Sequence, residues 1–414
     1  MRFTCLPEVS ICYFLPANGV VHVSLGHPEL VTAITSEMAD SGPMPFVRFM
    51  ELALYHPQHG YYMRRPEAGT ERIGWSGDFY TSSDVHPILG QALAKQARQL
   101  DQFLGHPEPF MVVEMGPGKG LLAKHFLSAC RAEADDSFNR RLRYVLIERS
   151  PAMRELQHIH LLHGYVAPEQ ITWVEDLSSL PEDGVQGLVF SNELPDAFPV
   201  HRIQVAEGRL QEVYVEYDGS RFVERLGPLS TPAIQEYADR LGLSLPDGYQ
   251  TEINLHAVRW MTDVARAIGR GLAITIDYGH TAQDLYGPDR AKGTLLCYYS
   301  QLTSEDPYER VGLQDMTAHV DFSTLATVGE AHGLHVTGFT NQMSFLMGLG
   351  VEEMIAHLDP EGPELRAAIH LLRPDGMGRT FKVLIQHKGM AAPPLDGLAF
   401  KPFFGNALAV PSAA

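Results

Sequence analysis

Glu114 and the three glycines that follow it at alternate positions, Gly116, Gly118 and Gly120, are suited to holding a small ligand. Glycine lets a backbone turn with positive φ and approach a ligand with no Cβ in the way. Before them runs Phe110-Met-Val-Val, unbroken and apolar; after them comes Leu121-Leu-Ala-Lys-His-Phe-Leu127, where Leu122 and Phe126 share one helical face. Strand, glycine turn and helix open a nucleotide-binding crossover. A dinucleotide fingerprint needs Gly or Ala where Leu121 stands, and a P-loop needs Ser or Thr where Gly120 stands, so both are excluded. Two further stretches carry proton-moving or cation-gripping groups: Ser191-Asn192-Glu193-Leu194-Pro195-Asp196, and Gln314 to Phe322, which contains His319.

Positioning these groups needs a sheet. Tyr144-Val-Leu-Ile-Glu148, Ile171-Thr-Trp-Val174, Gly187-Leu-Val-Phe190 and Leu272-Ala-Ile-Thr-Ile-Asp277 read as strands covered on both faces, and His335–Phe339 and Arg379–Gln386 complete a set of seven. Helices fall between them, which predicts an α/β fold with a parallel, Rossmann-like sheet. Acids close four of these strands, at Glu114, Glu148, near Val174 at Asp176, and at Asp277. In open parallel sheets ligands lie outside the carboxyl ends of the strands, where strand order reverses.

The flanks are organised around that sheet. Residues 1–27 read as a weakly ordered extension, 28–109 as an N-terminal helical and lid region, 110–389 as the main domain and 390–414 as a tail. Gly42-Pro43 divides the helical stretch from Leu30 to Tyr55, and Ser83 or Asp84 is expected to cap a helix reaching Leu104. Gly269 and Gly271 are expected to end a helix that starts at Leu255. Insertions near 199–250, with a hairpin turn at Asp218-Gly219, and 279–318 are expected to cap the ligand mouth.

A formal charge of −18 argues against a nucleic-acid-binding face, which needs clustered Lys and Arg. No apolar run reaches 18 residues, so no transmembrane helix is expected. Four scattered cysteines without a C-x-x-C pair suggest neither a disulfide framework nor a zinc site. His158, His160 and His163 fall on different helix faces, so no metal is expected there. The N-terminal stretch suits neither a secretory signal nor an Arg-rich presequence, which leads to an expected cytoplasmic location.

The run acid-x-Gly-x-Gly-x-Gly resembles the first motif of class I S-adenosylmethionine-dependent methyltransferases. The resemblance implies that the loop carries the methionine and ribose parts of S-adenosylmethionine. It further implies that Glu148, 28 residues past Gly120, accepts the ribose hydroxyls, and that Asp176 accepts from the adenine amino group. Asn192, Glu193 and Asp196 would then face the transferable methyl.

Within that class the chain resembles the MidA-like family. The matching pieces are Phe49-Met-Glu-Leu-Ala-Leu-Tyr-His-Pro57 with Gly60-Tyr-Tyr62, Gly77-Asp-Phe-Tyr-Thr-Ser82, Glu114 to Gly120, Asn192-Glu193, Asp277-Tyr-Gly279, Gly293-Thr-Leu295 and Gln314 to Phe322. This resemblance implies methylation of arginine in a protein substrate. Glu193 and Asp196 would grip the guanidinium, one of them taking up a proton, with His319 as an alternative base beside Asp321. Tyr80 and Thr81, in the segment that could close over the cofactor, are candidate cofactor contacts. Two departures stand out: Lys119 where the family often has Arg, expected to matter little on a loop surface, and Leu194-Pro195 where it commonly has an aromatic pair. Two other functions fit the same residues, a non-catalytic assembly factor on a methyltransferase-like fold and a small-molecule methyltransferase.

Overall fold

A computed structural model describes residues 25–65, 71–75, 77–132, 137–162, 168–401 and 408. The apolar runs form its centre: β1 (Phe110–Met115), β2 (Leu142–Ile147), β3 (Ile171–Val174), β4 (Val185–Asn192), β5 (Ile268–His280), β6 (His335–Asn341) and β7 (Phe381–Lys388). Their spatial order is β6-β7-β5-β4-β1-β2-β3. β1 to β5 pair in parallel, while β7 runs antiparallel to both of its neighbours. This is the expected Rossmann-like α/β sheet with seven strands, to which the two-residue strand Val320–Asp321 adds a short pairing at the end of β5. Strand order reverses between β1 and β4, so the turn after β1 and the turn after β4 flank one crevice.

Six helices are placed by which face they bury. Of α1 (Pro28–Ser41), α2 (Phe46–Tyr55), α3 (Ile88–Leu104), α4 (Leu121–Ala132), α6 (Leu255–Ala267) and α7 (Phe322–Ala331), the pair α3 and α4 covers one side of the sheet. Leu89, Leu93 and Leu100 of α3 meet Leu122, Phe126 and Phe110 there, all nearly inaccessible. Trp260, Met261 and Val264 of α6 and Phe322 and Leu325 of α7 cover the other side. The helix α5 (Pro151–Leu162) follows β2 and anchors through Leu161.

Two expected boundaries move. Thr81, rather than Ser83 or Asp84, is the N-cap, in a capping box with Asp84, and its helix is only Ser82–Val85. Pro87 forces His86 into an extended conformation (φ −160°, ψ 151°), so α3 starts afresh at Ile88. Gly269 and Gly271 do not end α6; it stops at Ala267 and both glycines lie in β5. A Cβ on Gly271 would sit 1.9 Å from the carbonyl oxygen of Gly187, so these glycines serve close strand approach. The seventh strand begins at Phe381 because Met377–Thr380 forms a helical turn.

The inserted segments build two small sheets. Strands Met44–Pro45, His201–Ala206, Arg209–Tyr217, Phe222–Gly227 and Gln250–Ile253 form one, packed on α1 and α2 through Phe46, Phe49, Val215 and Phe222. Strands Leu296–Tyr299, Leu302–Ser304 and Asp315–Thr317 form the other. The three-stranded sheet and α2 reach the crevice, while the five-stranded sheet does not line it: Ala318 N–H, just after the strand Asp315–Thr317, donates to the Asp196 carbonyl (2.9 Å) and the Tyr55 hydroxyl of α2 to the Ala197 carbonyl (2.8 Å). Residues 1–24, 402–407 and 409–414 of the expected extension and tail lie outside the described residues; Leu395 of the tail packs into the core. No helix among the described residues is long and apolar enough to cross a membrane.

Candidate active site

Gly116, Gly118 and Gly120 take φ values of 65°, 50° and 79°, a left-handed run that side-chain-bearing residues avoid. A Cβ on Gly118 would meet nothing within 4 Å, while one on Gly116 would press on Leu194 and one on Gly120 on Gln157. The bare edge of the loop at Gly118 therefore faces open space, a cavity of about 940 Å³ at the carboxyl ends of the strands. Beneath the loop Glu114 is buried and accepts the Tyr144 hydroxyl at 2.6 Å. Burial pushes its carboxyl up to about 7, with the Tyr144 bond opposing.

Glu148 stands across the cavity wall at the end of β2. It accepts from Ser150 N–H (2.7 Å) and the Gln157 side-chain amide (3.1 Å), and burial pushes it up to about 7. Gln157, fully buried on α5, also donates to the Gly118 carbonyl (2.7 Å) and accepts from the Trp173 indole (2.9 Å). One side chain thus ties the glycine loop, the β2 acid and β3 together. Asp176 lines the rim and caps the turn Leu177–Ser179 through Ser178 N–H (2.8 Å); the Ser178 hydroxyl holds its carboxyl below the usual range.

The segment before α3 roofs this end. Tyr80 stacks on Trp75 (4.6 Å between ring centres) and Thr81 caps its short helix; both line the cavity. Lys119 is not the loosely exposed side chain expected. Its ammonium bridges Glu71 and Asp84, each at 2.6 Å, and latches the glycine loop to the roof.

At the far end, after β4 and β5, carboxylates gather. Glu193 Oε1 accepts from Ser82 N–H and from the Asn192 amide, both at 2.9 Å. Asp196 accepts the Tyr278 hydroxyl, and Asp277 accepts from the backbone N–H of Tyr278 (2.8 Å) and of Asp196 (3.3 Å). Asp315 accepts the Tyr62 hydroxyl at 2.7 Å. Burial pushes Glu193 up to about 8 and Asp315 up to about 7; Asp196 and Asp277 also rise, by burial and, for Asp277, by the charge of Asp196 beside it. Every one of these contacts comes from a neutral donor, and among the described residues none of the four acids is ion-paired. Asn192 Oδ1 and Asp196 Oδ1 are buried without a hydrogen-bond partner.

His319 lines the same cavity, but its ring accepts or donates only to His280 (3.2 Å). Burial, with Arg290 and Lys382 nearby, lowers it to about 4, so it is neutral at pH 7 and a weak base. Asp321 does not join it: that carboxylate caps α7 through Ser323 and Thr324 N–H. His158 stacks on Trp173 and His160 bonds to the Lys119 carbonyl, while His163 lies outside the described residues.

Tyr80, Thr81, Glu114, Gly116, Gly118, Glu148, Asp176, Asn192, Glu193, Asp196 and His319 all line the one cavity; Gly120 turns instead toward Gln157. Sequence reasoning missed Gln157, Tyr62, Tyr278 and Asp315 as parts of the site. Tyr62, Tyr278 and Asp315 lie inside matched motifs, so the motifs held the signal without assigning it. Gln157 gave no signal, because a polar residue on a helix most often faces water.

Comparison with known proteins agrees with this geometry. A family model for S-adenosyl-L-methionine-dependent methyltransferases matches residues 92–340. The mitochondrial protein arginine methyltransferase NDUFAF7 homologue of Drosophila melanogaster is 30% identical over 402 residues, covering 90% of this chain and 87% of that protein. The human mitochondrial protein arginine methyltransferase NDUFAF7 is 26% identical over 409 residues, covering 90% and 86%. A crystal structure from Burkholderia thailandensis with bound S-adenosyl-homocysteine superposes with a TM-score of 0.81 at 31% identity, covering 93% of this chain and 98% of that one. The expected cytoplasmic location is not upheld, since these curated relatives are named as mitochondrial proteins while the solved structure is bacterial. A weak match to presequence composition was too thin a basis for it.

Proposed function

The chain belongs to the family of S-adenosyl-L-methionine-dependent methyltransferases, and from that premise we propose that it methylates the guanidinium of an arginine in a protein. The observation that carries this reading is the group of four acids, the buried Asp196, Asp277 and Asp315 and the half-buried Glu193, held by neutral donors alone. A buried carboxylate is costly unless a cation or strong donors complete it. A guanidinium offers five donors in a rigid fork and a charge that persists at any working pH. The unpartnered Asp196 Oδ1 suits such a donor.

The cavity also fits S-adenosylmethionine, the family's cofactor. Gly118 leaves room where a side chain would intrude, Glu148 presents a carboxylate for a ribose, and the unpartnered Asn192 Oδ1 suits an ammonium group. The cofactor supplies an electrophilic methyl on a sulfonium. Glu193 and Asp196 hold and orient the acceptor, an alignment effect worth up to roughly 7–11 kcal/mol. Glu193 takes the proton released when the guanidinium nitrogen is alkylated, a task for which a carboxyl near 8 is far better matched than His319 near 4. The names of the NDUFAF7 relatives, protein arginine methyltransferases, support the same substrate class.

The test is transfer of a radiolabelled methyl group from S-adenosylmethionine into protein, followed by identification of the labelled residue. Label on arginine is expected; label confined to small molecules, or to another residue type, sinks the reading.

A further inference from the structure

Among the described residues the strand Leu302–Ser304 is the outer edge of the three-stranded sheet, paired only with Leu296–Tyr299. Two residues, Ser300 and Gln301, make the turn between them, with φ values of 50° and 61°. In a two-residue hairpin the flanking pair, here Tyr299 and Leu302, exchanges the hydrogen bonds. The next pair, Tyr298 and Thr303, is then a non-bonded one, so the N–H and C=O of Thr303 point away from the hairpin. Thr303 is exposed, so these groups are open to a further strand.

Register places the edge directly on the site. Asp315, Tyr298 and Thr303 lie opposite one another across the three strands, and all three line the cavity. Side chains in one register row share a face. A fourth strand beside Thr303 would put its own paired residue on that same face, continuing the row toward Tyr298 and Asp315. On the opposite face Leu302 is 71% exposed and Tyr299 39%, an apolar pair unusual for a three-residue edge. The tip is firmly held: Ser300 N–H donates to the Asp78 carboxylate (2.8 Å) and Gln301 N–H to the Asp78 carbonyl (2.9 Å).

We infer that an extended segment of the protein substrate adds as a strand beside Leu302–Ser304, its arginine opposite Thr303 and its neighbouring apolar residues beside Leu302. The inference rests on the arginine reading above. Charge supports this occupant: the row ends on Asp315, the cavity beyond holds Glu193 and Asp196, and the chain carries a formal charge of −18. Main-chain bonding along an edge supplies affinity for any sequence, and the paired pocket supplies selection for the cation.

The test compares wild type with Thr303→Pro and Leu302→Asp on an array of short arginine-centred peptides and their lysine-centred twins, using tritiated S-adenosylmethionine. Proline removes only the outward N–H and is tolerated at a sheet edge. Both variants should keep wild-type cofactor affinity by calorimetry and lose at least tenfold in kcat/KM for the best arginine peptides, mostly through KM. Independently of any variant's folding, wild type should discriminate by the same factor against peptides N-methylated on the arginine's own backbone nitrogen. Unchanged kcat/KM in both variants and for the N-methylated peptides overturns strand addition and leaves the arginine reading standing. No label on any peptide, or label only on the lysine twins, overturns the arginine reading and this inference with it.

Discussion

Glu193 holds a backbone angle, φ 52°, that a side-chain-bearing residue adopts only when its surroundings insist. Its N–H is tied to the Ile276 carbonyl (3.0 Å) and its carboxylate to Ser82 and Asn192, so the turn after β4 is fixed from three sides. The aim of that carboxylate is what the strain secures. With its carboxyl near 8, only about a tenth of the free enzyme carries the ionised form at pH 7. On the proposed arginine reading, the ionised form is the one that pairs with a guanidinium and accepts its proton. Activity measured as kcat/KM should therefore climb with pH through about 8 and level above it. Glu193→Gln should leave cofactor affinity unchanged, lower kcat by about 10²–10⁴-fold and abolish that climb. Equal turnover in the variant would remove Glu193 from the chemistry. The polar cluster containing Glu193 was legible in the sequence because it closes a continuous apolar run. Its strain was not legible, since nothing in residue type requires a left-handed glutamate.

At the scale of elements, the inner strands β1, β2, β4 and β5 were readable because a strand buried on both faces reads as a near-continuous apolar run. Their ends were readable for the same reason, as the first polar residue marks where the sheet meets the cavity. What escaped was contact between distant segments. Tyr62 and Asp315 are 253 residues apart and meet only because the turn after α2 and the three-stranded sheet both lean over the crevice. Gln157 escaped likewise, since its importance lies in joining α5 to three other places. Gln157→Leu, close in volume, leaves the Gly118 carbonyl, one Glu148 oxygen and the Trp173 indole short of a partner. Each group so stranded costs about 1–3 kcal/mol. The expected outcome is a loss of S-adenosylmethionine affinity of tenfold or more with kcat nearly intact, because Gln157 positions the cofactor side and touches no acceptor. Trp173→Phe removes one of the same bonds but leaves Glu148 and Gly118 held, and should keep most of the affinity. Calorimetry on the pair decides; equal losses in both would mean Gln157 acts through packing alone.

For the molecule as a whole, gathering acids in one cavity has a price in stability that depends on pH. Glu114, Glu148 and Asp315 rise to about 7 and Glu193 to about 8, all chiefly through burial. Above the ordinary carboxylate range the unfolded chain has released these protons while the folded protein still holds them. Folding stability from this source is complete below about 4.5 and is lost as pH rises through 7 to 8. Three half-buried histidines act in the opposite sense: His125 and His319 fall to about 4 and His280 to about 3, so protonation of the unfolded chain destabilises the protein as pH drops below about 6.5. Between about 4.5 and 6.5 the four acids outweigh the three histidines, so these groups together give a shallow decline over that range. Above it only the acids act, and the free protein should lose on the order of 2 kcal/mol between pH 7 and 8. A cationic ligand in the cavity reverses the incentive, because it stabilises the ionised carboxylates. S-adenosylmethionine together with an arginine peptide should flatten the decline, and their binding should release protons, detectable as a dependence of the calorimetric heat on buffer ionisation. A melting temperature that holds steady or rises in the free protein between pH 7 and 8.5 would mean the acids are already ionised in the resting cavity. A waiting site filled with counter-charge would then replace the picture of one whose charge appears with the substrate.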